Sequence, residues 1–349
     1  MIRWVLLSLA ISILTAGHAM ALTVATGFSD RGQPRDPASW MEAVREAAQA
    51  ARKGLGEARA EVVIVWDNIP VPDALAESAI LPAIAAEFPG AAICGQHERA
   101  RPQYSPYTQQ GTTVGPGISL MAISGARAQV VHVVSGDSDA APKDQFLAKI
   151  QELGDALKPL PEDGRLLVIM GAFHGKGEVL AQGLRNTLGD VYPVVGGSSG
   201  GNGAIYHEGK VIPRAVQAIL LRGDFAVDIA GSRPMGDWEP QYTQEIKARA
   251  EADTLGRALK AAADAGRTPR GIIWFNCQGR CEQPDAFYER ISIEQRQARR
   301  SLHVDAVRAV AGGLPFWGHF SGAEIGPVEA RPRIEGGGYR AVFAVLSGK

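Results

Sequence analysis

One pattern recurs three times along this chain. An apolar strand ends in polar residues, a helix-like crossover follows, and a short strand closes on glycine. A Gly/Ser-containing loop and another apolar strand complete each copy. A repeat of this length constrains a fold more firmly than local propensity does. The first copy runs through Val62–Asn68, a helix near Asp73–Phe88, Ala91–Gly95 and Gly117–Ser124. The second has Leu166–Gly171, a helix near Gly177–Leu188, Tyr192–Gly196, the loop Ser198–Gly203 and Ala215–Leu221. The third has Ile272–Cys277, a helix near Ile291–Val310, Pro315–Gly318, the loop Ser321–Gly326 and Tyr339–Leu346. Two strand–helix pieces, Gln129–Val134 with Lys143–Leu157 and Phe225–Ile229 with Thr243–Ala265, fit between copies.

Strands that read as unbroken apolar runs are buried on both faces, and helical crossovers permit parallel pairing. The last strand of each copy follows across only a loop, which favours antiparallel pairing. The expected fold class is α/β, with mixed, mostly parallel sheets built from repeated strand–helix–strand–loop–strand units in two packed halves. Ahead of the first copy, Leu22–Phe28 is an edge strand or a lead-in. An Ala-rich amphipathic helix over Trp40–Arg59 follows it. The Pro/Gly-containing connector Arg233–Pro240 marks the boundary between the halves. This divides the chain into residues 22–60, 61–235 and 240–349.

Residues 1–21 are set apart as a signal peptide. Arg3 supplies a positive start, Trp4–Ala16 an apolar run, and Ala19-Met20-Ala21 a small-x-small cleavage site. The run falls short of the ~20 residues that a spanning helix needs. A periplasmic or secreted protein is expected, cleaved after Ala21, with no transmembrane span in the mature chain. The 36 Lys and Arg against 37 Asp and Glu leave no concentrated basic face for nucleic acid. The spacing of Cys277 and Cys281 matches no zinc pattern, so neither metal nor cofactor is expected. Those two cysteines either close a small disulfide loop or stay reduced.

Polar residues collect where strands end, and α/β folds bind ligands there. If the strands Ile272–Cys277 and Pro315–Gly318 share a sheet, Cys277, Arg280, His319 and Glu324 face one crevice, with Ser321 and Gly322 beside them. Arg280 can lower the pKa of a Cys277 thiol; a buried structural cysteine is the plainer reading. Arg280 and Glu324 can grip the two ends of a zwitterion, or pair with each other. The run Gly196-Gly197-Ser198-Ser199-Gly200 matches G-x-S-x-G for Ser198, and a shift of one residue matches it for Ser199. That signature needs a strand-to-helix turn, whereas residues 202–210 read as a hairpin. A backbone nest for an anion, or a tight turn alone, competes with it. His174 and Lys176 end the second copy's first strand, and the loop around Tyr104 forms a lid or a solvated loop.

The cluster Asn276–Arg280, followed by Pro315–Pro327, resembles the C-terminal half of the FIST family. The stretch Pro193–Gly201 is similar to that family's N-terminal half. The likeness spans residues 61–346. FIST domains are sensory domains of bacterial signal-transduction proteins and of some F-box proteins. The resemblance therefore implies an exported, non-catalytic sensory protein that binds a small charged metabolite, such as an amino acid. Its ligand-binding residues would be Cys277, Arg280, Ser321, Gly322, Glu324, His319, Ser198 and Ser199. Typical members act inside the cell, joined to an output domain, so signalling here would require a separate partner protein. An exported hydrolase using Cys277, Ser198 or Ser199 is the alternative, marked by a base histidine within reach of one of them. A third reading is an interaction module, marked by a large exposed apolar patch and no pocket.

Overall fold

The computed structural model describes residues 21–31, 36–99, 104–200, 203–235, 241–281, 292–329 and 331–348. Residues 1–20 of the proposed signal peptide over residues 1–21 lie outside them. Among the described residues, no helix is long and apolar enough to cross a membrane.

Three units follow one another. The first holds β1 (Thr23–Ser29), α1 (Pro37–Gly54), β2 (Val62–Asp67), α2 (Asp73–Leu75), a π-turn (Ala76–Ile80), α3 (Leu81–Glu87), β3 (Ala92–His97), the hairpin β4 (Pro106–Thr108) and β5 (Gly111–Thr112), and β6 (Ile118–Ser124). The second holds β7 (Arg127–Val134), α4 (Lys143–Ala156), β8 (Gly164–Gly171), α5 (Gly177–Leu188), β9 (Val194–Ser198), the hairpin β10 (Ala204–His207) and β11 (Lys210–Pro213), and β12 (Ala215–Arg222). The third holds β13 (Ala226–Gly231), α6 (Gln244–Asp264), β14 (Thr268–Cys277), α7 (Gln278–Cys281), α8 (Ile293–Ala311), β15 (Phe316–Ser321), the hairpin β16 (Glu324–Val328) and β17 (Arg331–Gly337), and β18 (Ala341–Gly348). The strand–helix pieces that fitted between copies are thus the openings of the second and third units. β1 and α1 open the first in the same way.

Each unit builds a six-stranded mixed sheet. Within it the second and third strands pair in parallel, as β2 with β3, β8 with β9 and β14 with β15. The last strand runs antiparallel to the second, in β6, β12 and β18. The loops expected between the third and last strands carry the hairpins, and these leave their own sheet. The first unit's hairpin pairs with β15 of the third, the second's with β3 of the first, and the third's with β9 of the second. Each unit lends one hairpin and receives one, so the exchange closes into a cycle.

The side-chain period of two explains why the strands are apolar throughout. Val63 and Val65 pack outward with Val44 and Ile84 of their unit's helices, while Ile64 and Trp66 turn inward. Likewise Leu167 and Ile169 face outward while Val168 and Met170 face inward. In the third unit Ile272 and Trp274 face outward, and Ile273 and Phe275 inward. The inward sets of all three sheets meet in one central core. The parallel strands consequently end side by side around that core, where polar residues follow them.

Candidate functional site

In register, Asp67 lies opposite His97, Gly171 opposite Ser198, and Cys277 opposite Ser321. These three strand ends are equivalent in the repeat and chemically different. The first is closed. His97 Nδ1 lies 2.8 Å from Asp67 Oδ1, Tyr206 Oη donates to Asp67 Oδ2 at 2.5 Å, and His97 Nε2 lies 3.2 Å from the Val71 carbonyl. Burial alone lowers the His97 pKa, but the charge and hydrogen bond of Asp67 hold it above its usual value.

The third strand end, together with turns of the second unit, lines a cavity of about 380 Å³. Asp139 and His174 line it from the second unit, Cys277, Gln278, Gly279, Ser321 and Gly322 from the third, and Tyr104 from the first. His174 stands in the turn after β8, and Asp139 in the turn after β7. Its Nδ1 lies 2.9 Å from Asp139 Oδ1, which leaves Nε2 as the nitrogen available to a substrate.

Ser198 ends β9 directly behind Gly322. Its side chain is fully buried, and its Oγ has no hydrogen-bond partner among the described residues. A Cβ on Gly322 would lie 2.5 Å from His174 Cδ2, 3.0 Å from Tyr104 Oη and 3.2 Å from Ser198 Oγ. Imidazole and hydroxyl therefore converge on one point, no further apart than those two distances together. A side chain at position 322 would push the His174 ring aside. Ser198 is held by main-chain bonds, its N–H to the Ala323 carbonyl at 2.9 Å and its carbonyl to the Gly322 N–H at 3.1 Å.

Ser321 lines the same cavity. Its Oγ lies 2.5 Å from Glu324 Oε1 and 3.2 Å from the Asn276 carbonyl. Burial pushes the Glu324 carboxyl up to about 8, against the opposing effects of Ser321 and Arg340. Cys277 is buried at the cavity wall, and burial, followed by the nearby Glu324, pushes its thiol well above the usual value. The thiol stays protonated despite Arg280. No disulfide joins Cys277 to Cys281; Cys281 Sγ instead accepts from Asn276 Nδ2 at 3.5 Å.

Three of the residues expected in the crevice stand elsewhere. The one-turn helix α7 carries Arg280 into the interior, where its guanidinium meets Glu251 Oε1 at 3.0 Å, Ser232 Oγ at 3.1 Å and the Lys247 carbonyl at 3.1 Å. It does not pair with Glu324, and its one bond to a residue of the cavity wall goes to the Tyr339 main-chain carbonyl at 3.1 Å. His319 precedes Ser321 by two residues on β15, so it shares Ser321's side of the strand but sits deeper, in the central core. It stacks on Trp66 at 3.5 Å and 6°, and burial lowers its pKa well below the usual value. Ser199 turns its Oγ to the Gly200 carbonyl at 3.0 Å. Sequence reasoning missed Asp139 altogether. Its only signal is position, since it follows the first strand of its unit as His174 follows the second.

A model of the FIST N domain matches residues 61–241. No curated protein matches the chain. Solved structures similar to it include a cyanuric acid hydrolase described as evolutionary innovation by structural concatenation. That likeness has 10% identity over 94% of this chain and 100% of that one, with a TM-score of 0.43. Another is the cyanuric acid hydrolase from A. caulinodans, with 10% identity over 94% of this chain and 99% of that one, and a TM-score of 0.42. The expectation of a non-catalytic sensory protein is withdrawn: the solved structures reported as similar are enzymes, and within this chain His174 and Ser198 converge on one point. A likeness so distant names no reaction for this chain, whose chemistry must rest on its own residues.

Proposed function

The chain belongs to the family defined by the FIST N domain, and we propose that it is a serine-dependent hydrolase acting on a small acyl substrate. Ser198 is the nucleophile, His174 its base, and Asp139 orients the imidazole. The observation that carries this reading is the convergence of a buried, unpartnered Ser198 Oγ and the His174 ring over Gly322. A hydroxyl, a base and a group orienting that base are the parts an activated nucleophile requires. The triad at the first strand end, Asp67 and His97 with Tyr206 of the second unit's hairpin, lacks a serine and faces no cavity among those described, so it does not compete. Cys277 is the weaker nucleophile, because its thiol is held protonated.

In this reading Ser198 Oγ attacks the substrate carbonyl carbon while its proton passes to His174 Nε2. Asp139 at 2.9 Å stabilises the resulting imidazolium. The same proton then goes to the departing alcohol or amine as the carbonyl–leaving-group bond breaks. Water repeats the sequence on the acyl-serine, giving a carboxylic acid and free Ser198. A cavity of about 380 Å³ holds a small molecule rather than a polymer.

The test is hydrolysis of p-nitrophenyl acetate and acyl anilides by the full chain. Ser198→Ala should lose at least a hundredfold in kcat/KM, and Ser199→Ala should keep more than half. Equal rates in wild type and Ser198→Ala would sink the assignment. We further propose export, on the Arg3, Trp4–Ala16 and Ala19-Met20-Ala21 pattern. N-terminal sequencing of the protein from a bacterial periplasm should begin at Leu22, whereas an intact Met1 in the cytoplasm would refute it.

A further inference from the structure

Ser321 Oγ has one hydrogen and two acceptors, Glu324 Oε1 at 2.5 Å and the Asn276 carbonyl at 3.2 Å. The carbonyl can only accept. With Glu324 neutral, the carboxyl proton goes to Ser321 Oγ, and the hydroxyl hydrogen rests on the longer, weaker bond to Asn276, from which it can turn into the cavity. With Glu324 ionised, the carboxylate captures that hydrogen and sets a negative charge behind the cavity wall.

The surroundings favour the neutral form. Glu324 is fully buried. Arg340 offers its carboxylate only a main-chain N–H at 3.4 Å, while the guanidinium Nη2 donates to the Glu324 main-chain carbonyl at 3.2 Å. Cys277 and Tyr107 also face Glu324, and its ionisation would disfavour theirs. Arg280 acts on it more weakly than Arg340 does. A buried carboxyl without a directly paired cation stays protonated.

Ser321 is also well placed relative to Ser198. A Cβ on Gly197, the residue before Ser198, would lie 2.8 Å from Ser321 Cβ, and Gly322, the residue after Ser321, lies against Ser198 Oγ. The two serines therefore stand close together. We propose that Ser321, presented by a neutral Glu324, donates to the oxyanion that forms when Ser198 attacks. Ser321 is then a catalytic residue and Glu324 a positioning residue. A donor backed by a neutral acid stabilises the developing charge without placing a second negative charge beside it. This inference rests on the hydrolase reading.

The test uses the full chain with p-nitrophenyl acetate. Ser321→Ala should lower kcat by about a hundredfold or more, with KM changed less than about threefold, and Ser321→Thr should restore much of it. Wild-type kcat should fall as pH rises through 8, and Glu324→Gln, though slower, should lack that fall. Independently, infrared difference spectra at pH 7 should show a protonated carboxyl band that Glu324→Gln removes. Near-normal kcat in Ser321→Ala, or absence of the carboxyl band, would overturn the proposal. If Glu324→Gln does not fold, the Ala and Thr pair at position 321 still decides it. No wild-type turnover, with no serine adduct from a fluorophosphonate, would remove the hydrolase reading and this proposal together. A wild-type adduct with normal turnover in Ser321→Ala would remove this proposal alone.

Discussion

Arg280 Nε donates to Glu251 Oε1 at 3.0 Å, with both side chains fully buried. His303 Nδ1 lies 2.9 Å from the same carboxylate, and its Nε2 lies 2.9 Å from Gln244 Oε1. The network ties α6, α7 and α8 together beneath the cavity wall. Breaking one member leaves a buried charge uncompensated, at a cost of about 3–5 kcal/mol. Arg280→Ala should therefore lower the urea midpoint sharply, and a ligand contact alone would leave that midpoint unchanged. Burial by itself raises the Glu251 pKa, but His303 and Arg280 bring it below its usual value. The stabilisation is present above the ordinary carboxylate range and is lost as pH falls through the lowered pKa.

Glu324 behaves in the opposite sense. Burial holds its folded pKa at about 8, above its ordinary value of 4.5. The stability it contributes is complete below about 4.5, declines as pH rises, and is gone above about 8. At about 1.4 kcal/mol per pH unit the decline amounts to roughly 5 kcal/mol. Chemical denaturation at pH 5 and pH 8.5 should show it in the wild type, and Glu324→Gln should flatten the difference. Parallel pH curves for the two proteins would contradict a neutral Glu324.

At Gly322 a methyl group would meet the His174 ring at 2.5 Å. The ring belongs to a half-exposed turn and can move aside, so Gly322→Ala should cost little stability, within about 1 kcal/mol. It should lower kcat about tenfold or more, because the base is displaced from Ser198. Circular dichroism melts beside steady-state rates separate the two effects, and unchanged kcat would place His174 outside the reaction.

His319 lies between Trp66 and Phe275, with ring centroids at 3.5 and 5.1 Å; its ring meets the Ser198 main chain, but neither nitrogen makes a well-directed hydrogen bond among the described residues. Phe keeps the stack and removes two buried nitrogens that lack a well-directed hydrogen bond, so His319→Phe should be neutral or stabilising by about 1 kcal/mol. The lowered His319 pKa makes wild type lose stability relative to this variant as pH falls below about 6.5. A loss above about 2 kcal/mol at pH 7 would show that the imidazole makes a necessary polar contact.

The repeat was readable because its strands are buried on both faces, so Val62–Trp66, Leu166–Met170 and Ile272–Phe275 are unbroken apolar runs. The hairpin exchange was not. β4 and β5 are only three and two residues long, and their pairing partner in β15 lies some two hundred positions on, beyond any local pattern. At the site, Ser321 and Gly322 were recoverable from their place after a strand. Arg280 followed Cys277 at the expected spacing, but the single turn of α7 rotates it away from the cavity. Asp139 had no motif, and only the fold brings the turn after β7 to the turn after β8.

The central claim is that Ser198 is an activated nucleophile. Its most direct test is to treat the full chain with a fluorophosphonate, which forms a stable adduct with an activated serine, and to locate the adduct by peptide mass spectrometry. One adduct should form, on Ser198, absent from Ser198→Ala and at least tenfold slower in His174→Ala. No adduct, or an adduct on another residue that persists in Ser198→Ala, would contradict it.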